Sequence, residues 1–381
     1  MPLMRHLTLF ACLAASSAVV LGAQCPDGTP PPCRGAPRVL PARSANMVLD
    51  DHTWIVLPFE NQARAVDLDW LRDASANLLY MDLSRWSDVH AIDDKRVADY
   101  LRATPAASSG ARLTLADGLD VARRGGAGKL VMGEFLKVGN VTRITATAYD
   151  TRTGSRVRVA SEQTQVADSL MSVFGKLARG LLDVPPPSGA GVGTGGTASV
   201  AALQEYLAGV KALNRFDLSE AKLHFDRALQ LDSTFAMAHY KYAIMLGWDQ
   251  PAHPGILVHS EAAVRHSAGL PARERALIQG HLAFSRQQYE RACESYRALV
   301  RADSTDVEAF YGLGDCLFHD SEAEPVGGDS TRWHYRGDWN ASRRAFQRVL
   351  VLDPTYHLAV QHLLDMLSAE SHTGCRRRTR D

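Results

Sequence analysis

Hydrophobic and polar positions between residues 53 and 184 follow two periods, one typical of strands and one typical of helices. The apolar run 53–59 contains a proline near its end and predicts a buried strand. Apolar residues at helical spacing predict helices over 68–83 and 113–122. The run 129–138 again predicts a strand because it is rich in residues that favour extended backbone.

Turn-forming residues set the order of the remaining elements in this segment. Gly139 and Asn140 predict a tight turn into a strand over 141–150, and a further short strand is expected at 156–160. A short strand near 89–92, an Asp-started helix after it and a closing helix over 170–184 complete the pattern. The order predicts an α+β or α/β domain in which helices cover one mixed sheet.

The second half of the chain repeats a helical pattern at a fixed period. From residue 202 to 234, Gly209, Ala221, Phe225 and Ala228 occupy the small and aromatic positions of a 34-residue helical hairpin. Glycine and alanine let the two helices of a hairpin approach closely, and Phe225 fills the gap toward the next hairpin. Ser233 stands where such a repeat usually has proline.

Three further hairpins follow in register. The second starts near residue 236 and carries extra residues at 251–255, the third starts at Arg273, and the fourth starts at Asp306 with an interruption over 320–336. A last helix over 357–367 is expected to cap the array. The pattern resembles the tetratricopeptide repeat (TPR) family, and the resemblance implies an all-α solenoid that binds protein partners.

The TPR resemblance also implies a set of groove residues. Family members bind ligands at fixed positions of the first helix of each hairpin, and the polar or aromatic residues at those positions here are Tyr206, Asn214, Tyr240, Trp248, His281, Tyr311, Asp315 and His319. Tyrosine and tryptophan are common interface anchors. The alternative is that the three tyrosines complete the core between hairpins. Of the residues that hold a C-terminal carboxylate in some family members, Asn214 alone is present.

The first domain resembles a second family, the TolB-like N-terminal domains. The segment 55–61 (IVLPFEN) is similar to the opening motif of that family, and 129–134 (KLVMGE) and 141–154 (VTRITATAYDTRTG) are similar to its hairpin. In that family the domain usually precedes TPRs, often behind a kinase or cyclase domain. Here an export signal stands in the place of the catalytic domain.

The chain ends and linkers divide the sequence into six segments. An apolar run after Arg5 and His6 predicts an export signal, either cleaved after Ala23 or retained as an anchor or lipoprotein. Proline- and glycine-rich runs predict flexible links. The expected segments are 1–23 signal peptide, 24–46 spacer, 47–184 TolB-like domain, 185–200 linker, 201–369 TPRs and 370–381 basic tail.

Export changes how the cysteines are interpreted. Cys25 and Cys33 bracket a proline-rich turn, where a disulfide and two free thiols are equally consistent with the sequence. Cys293 and Cys316 lie in helical repeat segments, and we expect each to be a small buried hydrophobic residue. No pair has Cys-x-x-Cys spacing, so a structural metal site is not expected.

Charge and motifs give no sign of catalysis. Lys and Arg together number 42, as do Asp and Glu, so no global field favours nucleic acid or anionic lipid. The glycine-rich stretch 124–129 lacks a Ser or Thr after Lys129 and precedes a strand, so it predicts a glycine-capped helix end instead of a phosphate loop. We expect no catalytic residue, cofactor or metal.

These patterns together predict a non-enzymatic protein of the periplasm or cell envelope. The first hypothesis is an adaptor or scaffold whose repeat groove holds a protein partner. The second is a sensor whose TolB-like domain binds a small ligand, and the third is an enzyme. A membrane tether at the N-terminus is expected if the signal is retained.

Overall fold

The computed structural model describes residues 49–62, 66–108, 112–165, 170–183, 196–326 and 329–378. The predicted signal, the spacer, Cys25 and Cys33 and most of the 185–200 linker lie outside these residues. One compact unit covers Met47–Ala359, and it contains both the α/β part and the helical repeats. The last helix continues beyond this unit from Val360, and from residue 370 to 378 it is described by its backbone alone.

The α/β part is built on a mixed sheet with strand order β3-β1-β4-β5-β6, and β2 pairs with β4. Strands β1, β2 and β3 run parallel to their neighbours, whereas β4–β5 and β5–β6 are antiparallel hairpins. The turn predicted at Gly139 joins β4 to β5, and Gly139 has a φ of +62°. The strands are β1 (Asp50–Val56), β2 (Glu60–Asn61), β3 (His90–Ala91), β4 (Ala127–Val138), β5 (Val141–Asp150) and β6 (Arg156–Thr164).

Helices cover both faces of this sheet, as the sequence predicts. Trp54 and Val56 point into one apolar cluster with α1 and α5, while Ile55 and Leu57 point into the opposite cluster with α2 and α4. This alternation is what the two-residue period of a strand requires. The helices are α1 (Asp69–Leu83), α2 (Asp94–Arg102), α3 (Pro105–Ser108), α4 (Leu115–Arg124) and α5 (Leu170–Leu182).

The Phe59 ring lies close to the backbone of β4 at Gly133, and this contact allows a first test of the packing. A Cβ added at Gly133 would overlap the Phe59 ring, which is fully buried. We expect Gly133→Ala to destabilise the fold by about 1 to 3 kcal/mol, because a packed ring cannot move without strain. Urea denaturation would measure the change. The matched control is Gly247→Ala, whose nearest neighbour would be Ile256 Cδ1 at 4.0 Å and which should leave stability unchanged or slightly raised.

The second half consists of helical hairpins in the predicted register. The two helices of each hairpin pack on each other, and the second helix of a hairpin packs on the first helix of the next. Gly209 faces the Phe225 ring closely, which is the contact expected from the repeat signature. The helices are α6 (Val200–Asn214), α7 (Leu218–Leu231), α8 (Ala236–Asp249), α9 (Gly255–His266), α10 (Ala272–Ser285), α11 (Tyr289–Ala302), α12 (Val307–His319), α13 (Trp339–Leu352) and α14 (His357–Arg378).

The insert in the fourth hairpin forms structure of its own. Strands β7 (Ala323–Val326) and β8 (Asp329–Tyr335) make a two-stranded antiparallel hairpin between α12 and α13. Arg336 closes its base with a bidentate pair to Asp320, at 2.7 Å from Nε to Oδ2 and 3.0 Å from Nη2 to Oδ1. The last helix is also longer than expected, since α14 runs to Arg378 although the sequence predicts its end near residue 367.

The expectation for two of the cysteines is correct for their burial, but it did not include their pairing. Cys293 on α11 and Cys316 on α12 form a disulfide with a Cα–Cα distance of 5.6 Å. Both residues are buried, as predicted, but they face each other where α11 packs against α12. A single sequence places each cysteine on the buried side of its own helix, but the rotation of one helix against the other decides whether the two meet. The disulfide therefore ties the third hairpin to the fourth.

None of the helices that the structure describes is long and apolar enough to span a membrane.

Candidate functional site

The predicted binding groove lies on the first helices of the hairpins, α6, α8, α10 and α12. The α/β part packs, through α1 and α2, against the end of this surface where the inner helices α10 and α12 begin. Tyr80 on α1 is buried, and its hydroxyl donates to Glu274 at the start of α10. Lys95 on α2 pairs with Asp353 and lies 5.1 Å from the centre of the Tyr356 ring. The α/β part thus already occupies a share of the inner face.

Charged side chains hold this contact together. Arg96 on α2 pairs with Asp93 at 2.9 Å from Nε to Oδ2 and with Asp303 at 3.1 Å from Nη1 to Oδ2. It also donates to the Thr305 hydroxyl. Since Asp303 and Thr305 precede α12 and Arg96 belongs to the α/β part, one guanidinium bridges the two parts. Bidentate or multiply bonded arginines of this kind fix geometry as well as energy.

A second arginine organises the start of the inner helices. Arg273 pairs with Asp306 in a bidentate arrangement, at 2.7 Å from Nε to Oδ2 and 3.0 Å from Nη2 to Oδ1. Its Nη1 lies 2.9 Å from Glu274 Oε1. Glu308, on the first turn of α12, pairs with Lys241 on α8. These pairs connect α8, α10 and α12 at the end where the α/β part docks.

Burial changes the proton affinities of groups at this junction. Removal from water raises the pKa of Asp94, and the neighbouring Asp93 carboxylate raises it further. Burial also opposes ionisation of Asp93, but Arg96 and Arg273 outweigh that effect and hold the pKa of Asp93 below its ordinary value. Burial raises the pKa of the Tyr80 hydroxyl well above its ordinary range, with a further contribution from Glu274. Tyr80 is therefore a neutral hydrogen-bond donor in this contact.

The three groove tyrosines are buried. Tyr206, Tyr240 and Tyr311 are 4%, 3% and 8% exposed, respectively. The Tyr206 ring lies 4.9 Å from the ring of Phe235, and the Tyr311 ring lies 4.9 Å from that of Tyr356. At this exposure the rings pack between hairpins and present little surface to a partner. Their role as binding residues stays a prediction, and the alternative that they belong to the inter-repeat core has the stronger support.

The other end of the inner face carries partly exposed aromatic rings. Trp248, at the end of α8, stacks on Phe216 with ring centres 6.2 Å apart, and Phe216 is 42% exposed. Phe284, at the end of α10, makes edge contacts with Tyr289 at 5.5 Å and with His319 at 5.6 Å. We call the half-exposed rings of Phe216, Trp248, Phe284 and Tyr289 the aromatic ridge.

The remaining predicted residues lie close to this ridge. Asn214 is exposed at the end of α6, two residues before Phe216. Asp315 and His319 form a pair one turn apart on α12, at 3.3 Å between Oδ1 and Nε2. His281 lies on α10 one turn before Phe284. The structure therefore brings His281 and His319 around Phe284, whereas Trp248 contacts Phe216 and Tyr311. The sequence prediction omitted Phe284, although its position at the end of an inner helix could have indicated it.

Burial sets the protonation of one of these histidines. It lowers the pKa of His281 to about 4, and the Ser260 hydroxyl lies 3.1 Å from its Nδ1. The folded pKa lies below the unfolded value, so the unfolded state binds the additional proton and stability falls as pH drops from about 6.5 toward 4. Because one pKa unit corresponds to about 1.4 kcal/mol and the ring is only partly shielded, we expect a loss of about 2 kcal/mol.

Urea denaturation at several pH values would test this dependence. His281→Gln, which cannot gain a proton in this range, should lose about 2 kcal/mol less stability than wild type between pH 6.5 and 4. The acid sensitivity that stays in the variant includes that of His259, whose pKa burial also lowers to about 4. His357→Gln, at an exposed position at the start of α14, is the matched control and should leave the profile as it is. Equal acid sensitivity of wild type and His281→Gln would contradict the assignment.

Several residues of the junction were missed by the sequence prediction. Tyr80, Lys95 and Arg96 lie on helices of the α/β part and match no repeat position. Glu274 and Glu308 lie near the starts of their hairpins, 34 residues apart, and neither is among the predicted groove residues. Charged residues at the starts of two successive inner helices were the available signal, but they indicate a polar contact without naming its partner.

The glycine-rich stretch at 124–129 ends a helix. Gly125 caps the end of α4 and Gly126 has a φ of +71°, as predicted for the glycine-rich stretch at 124–129.

Comparisons with known proteins give distant structural likenesses. No protein-family model matches the chain, and no curated protein matches it. YrrB, described as a TPR protein with an unusual peptide-binding site, is 19% identical and covers 45% of this chain and 78% of its own, with a TM-score of 0.25. MamA from Desulfovibrio magneticus RS-1, from residue 41 to its end, is 16% identical over 46% of this chain and 97% of its own, with a TM-score of 0.25.

A third solved structure with some similarity to this chain carries no TPR description. The C-terminal domain of LpoB from Salmonella enterica is 14% identical over 31% of this chain and 86% of its own, with a TM-score of 0.22. At such TM-scores these likenesses carry no functional argument. The helical repeats are established by the hairpins from α6 to α13 themselves, and the TolB-like resemblance of the α/β part stays a prediction.

Proposed function

We propose that this chain is an exported, non-enzymatic TPR scaffold that binds a protein partner through the aromatic ridge. The observation that carries the proposal is the division of the inner face. One end is filled by α1 and α2 of the α/β part, while rings at the other end stay half exposed. Aromatic side chains that are partly exposed and held by neighbours are typical anchors for partners, because little side-chain entropy is lost on binding.

The disulfide supports the export component of the proposal. Disulfides persist in secreted and periplasmic proteins and are rare in the cytosol, where thiols are kept reduced. Cys293 and Cys316 are joined in the folded protein, which fits the export signal predicted at the N-terminus. The compartment best suited to both features is the periplasm or cell envelope.

Site-specific photo-crosslinking would test the binding surface. A photoreactive phenylalanine analogue placed at Phe284 should give a discrete adduct with a partner in living cells. The same analogue at Val258, which is 61% exposed on α9, is the matched control and should give none. The Trp248→Ala variant of the Phe284-labelled protein should lose the adduct while keeping its melting temperature within a few degrees. Identical adducts from both labelled positions would argue against the ridge.

A further inference from the structure

A cleft of about 1270 Å³ lies where the α/β part meets the repeats. One wall is the face of α1 that carries Trp70, Asp73 and Asn77, which recur at helical spacing. The opposite wall is a face of α6 that includes Gln204 and Lys211. The volume is larger than the roughly 300–1,000 Å³ found for sites that enclose small molecules, so a ligand would fill only part of the cleft.

Two buried acceptors in the lining of this cleft lack a partner. Asn77 is 5% exposed, and its amide nitrogen donates to Asp94 Oδ2 at 3.0 Å, but its Oδ1 accepts no hydrogen bond from the described residues. Glu274 is 1% exposed; its Oε1 contacts Tyr80 and Arg273, but its Oε2 likewise accepts none. An unpaired buried polar atom costs about 1 to 3 kcal/mol, more when charged, so each indicates a missing donor.

Tyr80 links the two residues that carry these oxygens. Asn77 is one turn before Tyr80 on α1, and the Tyr80 hydroxyl contacts the Glu274 carboxylate. Asp94, bonded to Asn77, adds a further buried acidic group. A primary ammonium group carries three donors and a positive charge, which matches an acceptor set of this kind.

The mouth of the cleft carries charges of both signs. Arg72 and Lys211 line it and are exposed, and so are Asp69 and Asp73. A ligand that places an ammonium group in the depth would therefore meet both donors and acceptors at the rim, which suit the carbonyl oxygens and amide N–H groups of a peptide backbone. A short peptide with a free amino terminus has this distribution, whereas a simple amine offers nothing to the rim.

We propose that this cleft binds the free amino terminus of a short peptide, with Asn77 Oδ1 and Glu274 Oε2 accepting hydrogen bonds from the ammonium group. This site is distinct from the aromatic ridge and is formed by residues of both parts. Peptide binding then stabilises the docked arrangement of the α/β part on the repeats, because the ligand contacts both walls.

Calorimetric titration of the full-length protein would test the proposal. Trialanine should bind saturably, and N-acetyl-trialanine should bind at least about 10-fold more weakly because it lacks the ammonium donors. Glu274→Gln replaces the free acceptor with a donor and should weaken trialanine binding by a similar factor. Glu294→Gln, at an exposed position on α11, is the matched control and should bind as wild type does.

The comparison of the two peptides on wild-type protein needs no variant, so it decides the question even if Glu274→Gln folds poorly. No saturable heat with trialanine, or equal affinity for the acetylated peptide, would overturn the proposal. A folded Glu274→Gln protein that binds trialanine as tightly as wild type does would also overturn it. Photo-crosslinking from Phe284 in the Glu274→Gln protein tests the aromatic ridge separately. Its adduct should persist there even when trialanine binding is lost.

Discussion

Replacing Cys293 and Cys316 together by alanine is expected to lower the free energy of unfolding by about 3.5 kcal/mol. The disulfide closes a loop with a sequence separation of 23 residues, and a crosslink of that span restricts the unfolded chain by about this amount at 25 °C. Urea denaturation of the wild type and the double variant, both without reductant, would measure the difference. The loss should appear as a lower midpoint and a somewhat steeper slope, because the unfolded chain without the crosslink is more expanded.

Two comparisons separate the crosslink from the loss of two buried side chains. Wild-type protein unfolded in dithiothreitol should approach the stability of the double variant, since each lacks the crosslink. The single variant Cys293→Ala should show most of the same fall in the free energy of unfolding, because Cys316 then has no partner for a disulfide. A wild-type midpoint that does not respond to reductant, together with free thiols at both positions, would show that the crosslink is absent.

Periodicity and turn chemistry predicted most of the fold. The two-residue alternation of Trp54, Ile55 and Val56 defines two faces, and both are covered by helices as expected. The small residue at Gly209 and the ring at Phe225 meet as the repeat spacing requires. These features are local, or depend on one helix packing on the next, so the chain order is enough to place them.

The junction of the two parts could not be predicted in the same way. Arg96 meets Asp303 across more than two hundred residues of sequence, and no period relates the two. Tyr80 belongs to an apolar helix pattern and was indistinguishable from a core residue until its hydroxyl was seen against Glu274. The groove prediction failed to anticipate the docking because the repeat pattern describes the shape of the inner face but not what covers it.

The docked α/β part defines what the inner face can offer to a partner. Tyr206 and Met237 on the repeat helices line the junction with α1 and α2 and are both buried. A partner that needed those residues would have to displace the α/β part first. The ion pairs of Lys95 and Arg96 oppose that displacement, so the strength of these pairs decides whether the two parts act as one body.

Reversing the charge of these two residues is expected to separate the parts. Lys95→Glu/Arg96→Glu places carboxylates beside Asp353, Asp93 and Asp303, and the broken pairs are largely buried. Removing one partner of a buried pair costs about 3 to 5 kcal/mol, and the added repulsion acts in the same direction. With a protease site inserted in the 185–195 linker, the two halves of the cut wild-type protein should elute together in gel filtration, and those of the variant should elute apart.

A matched charge reversal away from the junction controls for net charge. Arg156→Glu/Lys176→Glu changes two exposed residues of the α/β part by the same amount, and its cut halves should stay together. High salt should not mimic the variant in wild-type protein, because the Arg96 pair is shielded from solvent on the α/β side, with the side chain of Arg96 10% exposed. Co-elution of the cut Lys95→Glu/Arg96→Glu halves would contradict this expectation. It would mean that apolar contact between α1 and α6 is enough to hold the parts together. The ion pairs would then set the orientation of the two parts and not the strength of their association.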